Sequence, residues 1–392
     1  MFEEAWRIER DFYYDPNMHG LDWPKMKERY GQLLPFVADR TDLNYLIGEM
    51  IAELSTSHAY VGGGETPDIH RVSVGLLGAD FEPNQGFYRF KKIYRGENWD
   101  TSLRSPLTEP GVNVKEGEYL IAVNGKVLHT SVDPYSDFED LADRQVILKV
   151  NGKPSEEGAR EVTVHPVRDE SGLRYVDWVE GNRRKVAEAT GGRVGYMHVP
   201  DTAISGVQEF SKAYYAEIGK DGLIVDERFN SGGFIPDFFV ERLNRKLLSL
   251  WAPREGADFL TPGAAIYGPK VILANGFSGS GGDAFPYYFR RYKIGPIIGE
   301  RTWGGLVGIS RNIPMLDGGS VTAPEFGLWS PDNGGHWDVE NHGVDPDIDL
   351  DNRPDFVVQG HDPQLEKAIE WVKDALSKEP PKPKRPAYKV EK

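Results

Sequence analysis

The sequence predicts a multidomain α/β chain, and three changes of pattern along it carry that prediction. Residues 1–68 repeat apolar side chains at helical spacing, residues 69–168 break into short strand-like runs separated by turn residues, and residues 169–377 alternate strand-like with helix-like segments. The last pattern is that of a largely parallel sheet with helical crossovers. With 392 residues, 39% of them hydrophobic, the chain has the length for several buried cores. Residues 378–392 set Pro380, Pro381, Pro383 and Pro386 among lysines and read as a disordered tail.

The helical stretch opens on Asp22-Trp23-Pro24, with proline in the first turn, after which Trp23, Met26, Tyr30 and Leu33 recur on one face. A further helix is predicted from Thr41-Asp42, its apolar face made by Leu43, Leu46, Ile47, Met50, Ile51 and Leu54. Ser55 to His58 lie just past its end. In the β-rich stretch the expected strands are Val72 to Leu77, Phe87 to Ile93, Tyr119 to Val123, Gln145 to Val150 and Glu161 to Val167. Tyr119 to Val123 runs into Asn124-Gly125, the residue pair that a two-residue hairpin turn favours because both positions need positive φ. This strand and turn resemble those of PDZ domains, which capture extended peptides at a sheet edge; an ordinary hairpin of a small barrel has the same pattern. In the alternating stretch, Arg193 to Val199, Gly222 to Asp226, Lys270 to Ala274 and Pro296 to Gly299 read as strands. Ile204 to Ile218, Ile235 to Leu247 and Asp283 to Tyr292 read as helices between them.

Charge narrows the partners. There are 46 basic against 61 acidic residues, a formal net charge of -15, which disfavours a phosphate backbone or an anionic membrane surface. Cysteine is absent, so disulfides, thiolate metal sites and cysteine nucleophiles are excluded together. Glu3, Glu4, Arg7, Glu9, Arg10 and Asp11 interrupt the first residues, leaving no apolar signal core, and no apolar run is long enough to span a bilayer. With Met1 as the start, cytoplasmic residence is expected.

Four segments could carry chemistry. Ala274-Asn275-Gly276-Phe277-Ser278-Gly279-Ser280-Gly281-Gly282-Asp283 leaves a strand and enters a helix, so backbone N–H groups and the positive helix end converge near its serines, an arrangement suited to stabilising an oxyanion. A plain glycine turn has the same composition, and the lysine of a phosphate-binding loop is missing. Asp226-Glu227-Arg228-Phe229-Asn230-Ser231-Gly232-Gly233 ends the preceding strand of the same sheet, where ligands of open parallel sheets bind, although a Gly-Gly pair also simply ends strands. Ser57-His58 offers an imidazole with a hydroxyl beside it, suited to proton transfer near neutrality or to capping the helix before it. His336 to Asp347 mixes imidazoles and carboxylates. As a strand it would align His336, Asp338, Glu340 and His342 for metal ligation; as a solvated loop it would supply one functional carboxylate. No His-Glu-x-x-His helix of a zinc peptidase occurs.

In their order, these four segments resemble the C-terminal half of tricorn proteases, relatives of the tail-specific, carboxyl-terminal-processing serine peptidases. Thr56-Ser57-His58-Ala59-Tyr60 is similar to the segment bearing the family's base. Asp226 to Gly233 is similar to its Asp-x-Arg-x-Asn-x-Gly-Gly strand end, Phe277 to Asp283 to its nucleophile turn, and Val339-Glu340-Asn341-x-Gly-Val-x-Pro-Asp to the segment with its acidic member. The resemblance implies a helical subdomain over 1–68, a PDZ-like β domain over 69–168 and a crotonase/ClpP-like α/β catalytic domain over 169–377. It implies a serine peptidase in which Ser280 attacks the peptide carbonyl, His58 takes its proton, and Ser57 and Glu340 orient the imidazole. Gly281, with Gly233 or Gly232, would bind the oxyanion, Gly233 being favoured. No metal or organic cofactor is implied, and the family's assembly implies a homo-oligomer, a hexamer.

Two departures shape these expectations. Ser-Lys peptidases of the wider family carry a lysine after Gly-Glu-x-Thr-x-Gly, whereas Gly299-Glu300-Arg301-Thr302-Trp303-Gly304 is followed by Gly305, so another proton acceptor is needed. Nothing in the 392 residues corresponds to the two β-propellers that precede this region in full tricorn proteases, which makes the chain a fragment of a longer polypeptide or a reduced relative. Two other functions share the expected architecture: an acyl-CoA hydratase or hydrolase on the crotonase-like fold, and a non-catalytic peptide-binding scaffold built on the PDZ-like module.

Overall fold

The computed structural model describes residues 1–380 and 384–387, so that most of the tail expected to be disordered lies outside the described residues. Within it the chain divides into two compact units, Met1–Pro67 with Arg183–Lys392, and Asp68–Asn182.

The first unit begins with helices α1 (Phe2–Phe12), α2 (Trp23–Gly31) and α3 (Arg40–Ala52), followed by strand β1 (Tyr60–Gly62). The Asp22 carboxylate caps α2 by accepting from Lys25 N at 3.1 Å, and Pro24 occupies its first turn as expected. Helix α3 starts one residue ahead of the expected Thr41, because the Asp39 carboxylate caps it by accepting from the Thr41 and Asp42 N–H groups. The three helices bury Trp23, Ile47 and Met50, and share that core with Met315, Val321 and Ala323 from far along the chain.

The second unit is an antiparallel sheet. Its strands β2 (Ala79–Asn84), β3 (Phe87–Ile93), β4 (Tyr119–Val123), β5 (Lys126–Val127), β6 (Val146–Asn151) and β7 (Arg160–Val164) are ordered β2-β3-β4-β6-β7, with β5 on β4. Asn124 and Gly125 make the expected hairpin turn with φ of 49° and 84°. The stretch from Val72 to Leu77, expected as a strand, is not one: it joins the unit through isolated bridges, Val74 to Glu139 and Leu76 to Val167. Phe90, Leu120, Phe138 and Leu148 fill the core. Helix α4 (Ser171–Thr190) follows.

The α/β part continues with β8 (Val194–His198), α5 (Ile204–Ala216), β9 (Gly222–Asp226), α6 (Pro236–Leu243) and the hairpin β10 (Ser249–Trp251) and β11 (Phe259–Thr261). Next come β12 (Lys270–Ala274), α7 (Gly281–Arg291), β13 (Ile297–Gly299), β14 (Ile313–Pro314), β15 (Ser320–Thr322), β16 (Trp329–Ser330), β17 (His336–Trp337), β18 (Ile348–Asp349), α8 (Pro354–Val357) and α9 (Pro363–Lys378). Strands β8-β9-β12-β13-β18 form a parallel sheet in sequence order. Sequential right-handed crossovers put connecting helices on one face; accordingly Phe210 of α5, Phe239 of α6 and Phe285 of α7 meet in one core with Val225 and Ile272. Helix α9 lies against β9, β12 and β13. The loops leaving the carboxyl ends of β9 and β12 therefore converge at one edge, the usual place for a site in such sheets. A separate small sheet, β1-β15-β14, pairs Tyr60 with Thr322 and Gly62 with Ser320, and draws the segment before β1 toward that edge.

Candidate active site

Strand β12 ends at Ala274 and the turn that follows delivers Ser280 as the cap of α7. Ser280 adopts φ 58° and ψ −117°, a conformation that costs a side-chain-bearing residue about 1–3 kcal/mol and persists only where the surroundings enforce it. Gly279 N donates to Asn230 O at 3.0 Å, and Ser280 N donates to Asp283 Oδ2 at 2.8 Å. Asp283 is itself fully buried, and its carboxylate accepts from Gly304 N at 2.7 Å, Gly305 N at 3.2 Å and the Thr302 hydroxyl. Burial pushes its carboxyl up, against these bonds, which favour the ionised form. The two serines of the turn differ. Ser278 is buried, its hydroxyl donating to Glu227 O at 3.0 Å, whereas Ser280 forms a capping box with Asp283 at the start of α7 and opens on a cleft of about 330 Å³ that His58 also lines.

The loop after β9 faces this turn. Arg228 is buried and bonds Asp226 at 2.7 Å, Asp362 at 2.9 Å and Gln364 at 3.1 Å, pinning the strand end to the start of α9. Asn230 Nδ2 donates to Val199 O at 3.0 Å, while its Oδ1 accepts from Gly232 N at 2.9 Å. The Gly232 N–H, expected as one of two alternatives for an oxyanion, is thus spent on the Asn230 side chain. The Gly233 and Gly281 N–H groups have no acceptor among the described residues. They lie close together: a Cβ placed on Gly281 would come 2.7 Å from Gly233 N and 1.9 Å from Thr202 Oγ1, so neither loop tolerates a side chain there.

His58 reaches the cleft from the other end of the sequence. Its φ is 57°, held by Thr322, whose hydroxyl donates to His58 O at 2.6 Å and accepts from Tyr60 N at 2.8 Å. Ser57 Oγ lies 2.9 Å from His58 Nδ1 and donates to Glu340 Oε2 at 3.2 Å. Glu340 also accepts from the N–H groups of Ser57 at 2.8 Å, Leu306 at 2.6 Å and Val307 at 2.8 Å. A carboxylate only accepts, so the Ser57 proton points to Glu340 and the Ser57 oxygen accepts from Nδ1–H. The network therefore leaves His58 Nε2 as the unprotonated nitrogen. Burial lowers the His58 pKa and the Glu340 charge opposes that shift. No hydrogen bond joins the imidazole to Ser280 Oγ; the two share the cleft wall, and such contacts commonly close only around substrate.

Trp303 was not singled out from the sequence. Its ring packs against the His58 ring at 5.3 Å between centroids, and a Cβ on Gly279 would come 2.7 Å from it. Gly305 stands where Ser-Lys peptidases carry lysine, and a Cβ there would come 2.2 Å from the Trp303 ring. The same indole that backs the imidazole thus leaves no room for a lysine. The only sequence signal for this is a tryptophan followed by Gly304 and Gly305.

The acidic-imidazole segment does not align its side chains for a metal. Only His336–Trp337 is strand, and Val339 and Asn341 take φ of 73° and 62°, which breaks the alternation. Asp338 accepts from the Tyr287 hydroxyl at 2.9 Å, His342 pairs with Asp345 at 2.7 Å, and Glu340 turns toward Ser57. No three such groups converge among the described residues.

Three family models match successive parts of the chain: the tricorn protease C1 domain over residues 1–52, the tricorn protease PDZ domain over residues 75–169, and peptidase family S41 over residues 193–350. The chain is 39% identical over 97% of its length to tricorn protease homolog 1 of Streptomyces coelicolor. It belongs to the tricorn protease family. Tricorn protease of Thermoplasma volcanium is 37% identical over 96% of the chain. The crystal structure of the tricorn protease superposes on 96% of the chain with a TM-score of 0.87 at 33% identity. The chain spans 36% of the length of each of these tricorn proteins. Among the described residues no helix is long and apolar enough to cross a membrane.

Proposed function

We propose that the chain is a serine peptidase that hydrolyses peptides through an acyl-enzyme, with Ser280 as nucleophile and His58 as general base. His58 Nε2 takes the Ser280 proton as Oγ bonds to the scissile carbonyl carbon. The carbonyl oxygen becomes an oxyanion between the Gly233 and Gly281 N–H groups. The imidazolium then returns the proton to the amine nitrogen, the C–N bond breaks, and the first product leaves. Water repeats the sequence on the ester and restores Ser280. Glu340, through Ser57, fixes the imidazole tautomer and steadies its charge as it forms.

One observation carries this reading: a Glu340–Ser57–His58 chain with Nε2 unprotonated opens on the same cleft as the strained Ser280. The two unpaired N–H groups beside that serine support the oxyanion assignment, and the bond from Gly232 to Asn230 favours Gly233 over Gly232. The rest of the reading is a crotonase-like catalytic domain over 169–377, a helical subdomain over 1–68 bringing the base, peptide capture by the PDZ-like domain over 69–168, and a hexameric, cytoplasmic assembly. It is supported by the parallel sheet in sequence order and by the family.

The test is Ser280→Ala. Turnover of short peptides should fall by about 10⁴-fold or more with the thermal transition unchanged. A serine-reactive phosphonate should label Ser280 alone. Undiminished cleavage by the variant would sink the mechanism.

A further inference from the structure

The wall of the cleft says which side chain it receives. Phe234 follows Gly233 directly and points its ring into water, 69% exposed. Its backbone has little freedom, because Thr202 N donates to Gly232 O at 2.8 Å and Ile235 N donates to Thr202 O at 3.1 Å, clamping the peptide on both sides of Gly233-Phe234. A second ring backs it. Phe326 is 45% exposed and lies 6.1 Å from Phe234 between centroids, at 46°. Phe326 is seated on Gly308: the Gly308 N–H donates to Phe326 O at 2.7 Å, and a Cβ on Gly308 would meet the Phe326 ring at 1.8 Å. Gly308 and Ile309 continue the cleft wall.

A folded chain gains nothing by itself from presenting two adjacent phenyl rings to water beside a strained serine; an apolar group brought there by a ligand gains by covering them. Among the described residues that line the cleft, Arg311 is the charged one, and it is paired with Glu325 at 3.1 Å. A charged side chain entering the cleft would shed water without finding a free counter-charge, and a basic one would also face Arg311.

We infer that Phe234, backed by Phe326, is the specificity-determining element of this cleft, and that the preferred substrates are peptides with an apolar residue, aromatic or branched aliphatic, supplying the scissile carbonyl. The inference rests on the serine peptidase reading. It follows from covalent distance: the Cα of that residue is bonded to the carbon held between Ser280 Oγ and the Gly233 and Gly281 N–H groups, so its side chain starts next to the residue after Gly233.

The experiment uses the full chain and peptides identical except at the residue supplying the scissile carbonyl, which is Phe, Leu, Ala, Lys or Glu in turn. The wild-type kcat/KM should favour Phe and Leu over Lys and Glu by at least about 10-fold. Phe234→Ala should cut the Phe and Leu rates by roughly 10- to 100-fold and the Ala rate by less than about threefold, whereas Phe234→Leu keeps much of the preference. The exposed ring and the backbone clamp make these variants compatible with folding, which a thermal transition checks. Equal cleavage of Lys or Glu peptides, or an equal loss on every peptide in Phe234→Ala, overturns the inference while leaving the peptidase standing. If no peptide is cleaved and the phosphonate fails to label Ser280, the peptidase reading falls and this inference with it.

Discussion

The Ser280 turn and the Ser57-His58 segment set the same kind of strained residue, φ 58° at Ser280 and 57° at His58, by opposite means. The turn is held by packing. Gly279, Gly281 and Gly282 lie where a Cβ would strike backbone, side-chain or ring atoms, and the turn's nearest anchor, Asp283, is three residues from Ser280. The base segment is held by hydrogen bonds from residues 264 to 286 positions distant: Thr322 to His58 O, Glu340 to Ser57, and Asn341 Nδ2 to Ser55 O at 2.7 Å. A nucleophile built this way tolerates no added atom. A base built this way tolerates added atoms but depends on every donor and acceptor keeping its sense.

The largest effect that would break this contrast is expected at Glu340→Gln. Glu340 Oε1 accepts from one donor and Oε2 from three, all of them N–H or O–H groups. A glutamine must turn its NH₂ toward one set of donors, and the Ser57 proton loses its fixed direction. Turnover should fall by roughly 10²- to 10⁴-fold, toward the loss known for an amide replacing a triad carboxylate. Phosphonate labelling should slow in proportion, since both report the same base. A loss below about fivefold would mean that Ser57 and Glu340 are structural only.

A smaller loss is expected on the other side, at Gly281→Ala. The new methyl would meet Thr202 Oγ1, Gly233 O and Gly233 N at 1.9, 2.3 and 2.7 Å, so the two loops must part. Separating the proposed oxyanion donors should cost roughly 10²- to 10³-fold in kcat, with peptide affinity little changed. Unaltered kcat with a folded variant would remove Gly281 and Gly233 from the mechanism.

The same contrast decides what was legible in the sequence. The nucleophile turn and the Asp226 to Gly233 loop are local: strand, glycines, serine and helix start follow one another, and the parallel sheet makes them neighbours. The base was legible only through family resemblance, because nothing near Ser57-His58 announces Thr322, Glu340 or the β1–β15 pairing that brings them together. Trp303 was invisible for a related reason. Its role is fixed by the ring it touches and the side chain it excludes, and neither leaves a periodic pattern. Val72 to Leu77 failed as a strand because its β-branched residues find single bridges instead of a continuous partner. Helix α9 carries a readable start, Asp362 before Pro363, and Asp362 also holds Arg228 just past the end of β9, a double duty that sequence does not express.

The smallest effect is one of position on the pH axis, and it separates the two regions most cleanly. An ordinary imidazole would place the rising limb of activity between about pH 6 and 7.5. Burial lowers the His58 pKa, and the neutral ring is the proposed base, so the limb should shift down, its midpoint below about 6.5. The Glu340 charge works against that shift. In Glu340→Gln the surviving activity should therefore rise at still lower pH, whereas Gly281→Ala should lose rate without moving the limb at all. Profiles of kcat/KM for the three proteins report this directly, because they titrate the free enzyme. A limb that moves up in Glu340→Gln, or that moves in Gly281→Ala, would show that the titrating group is not the imidazole that Ser57 orients.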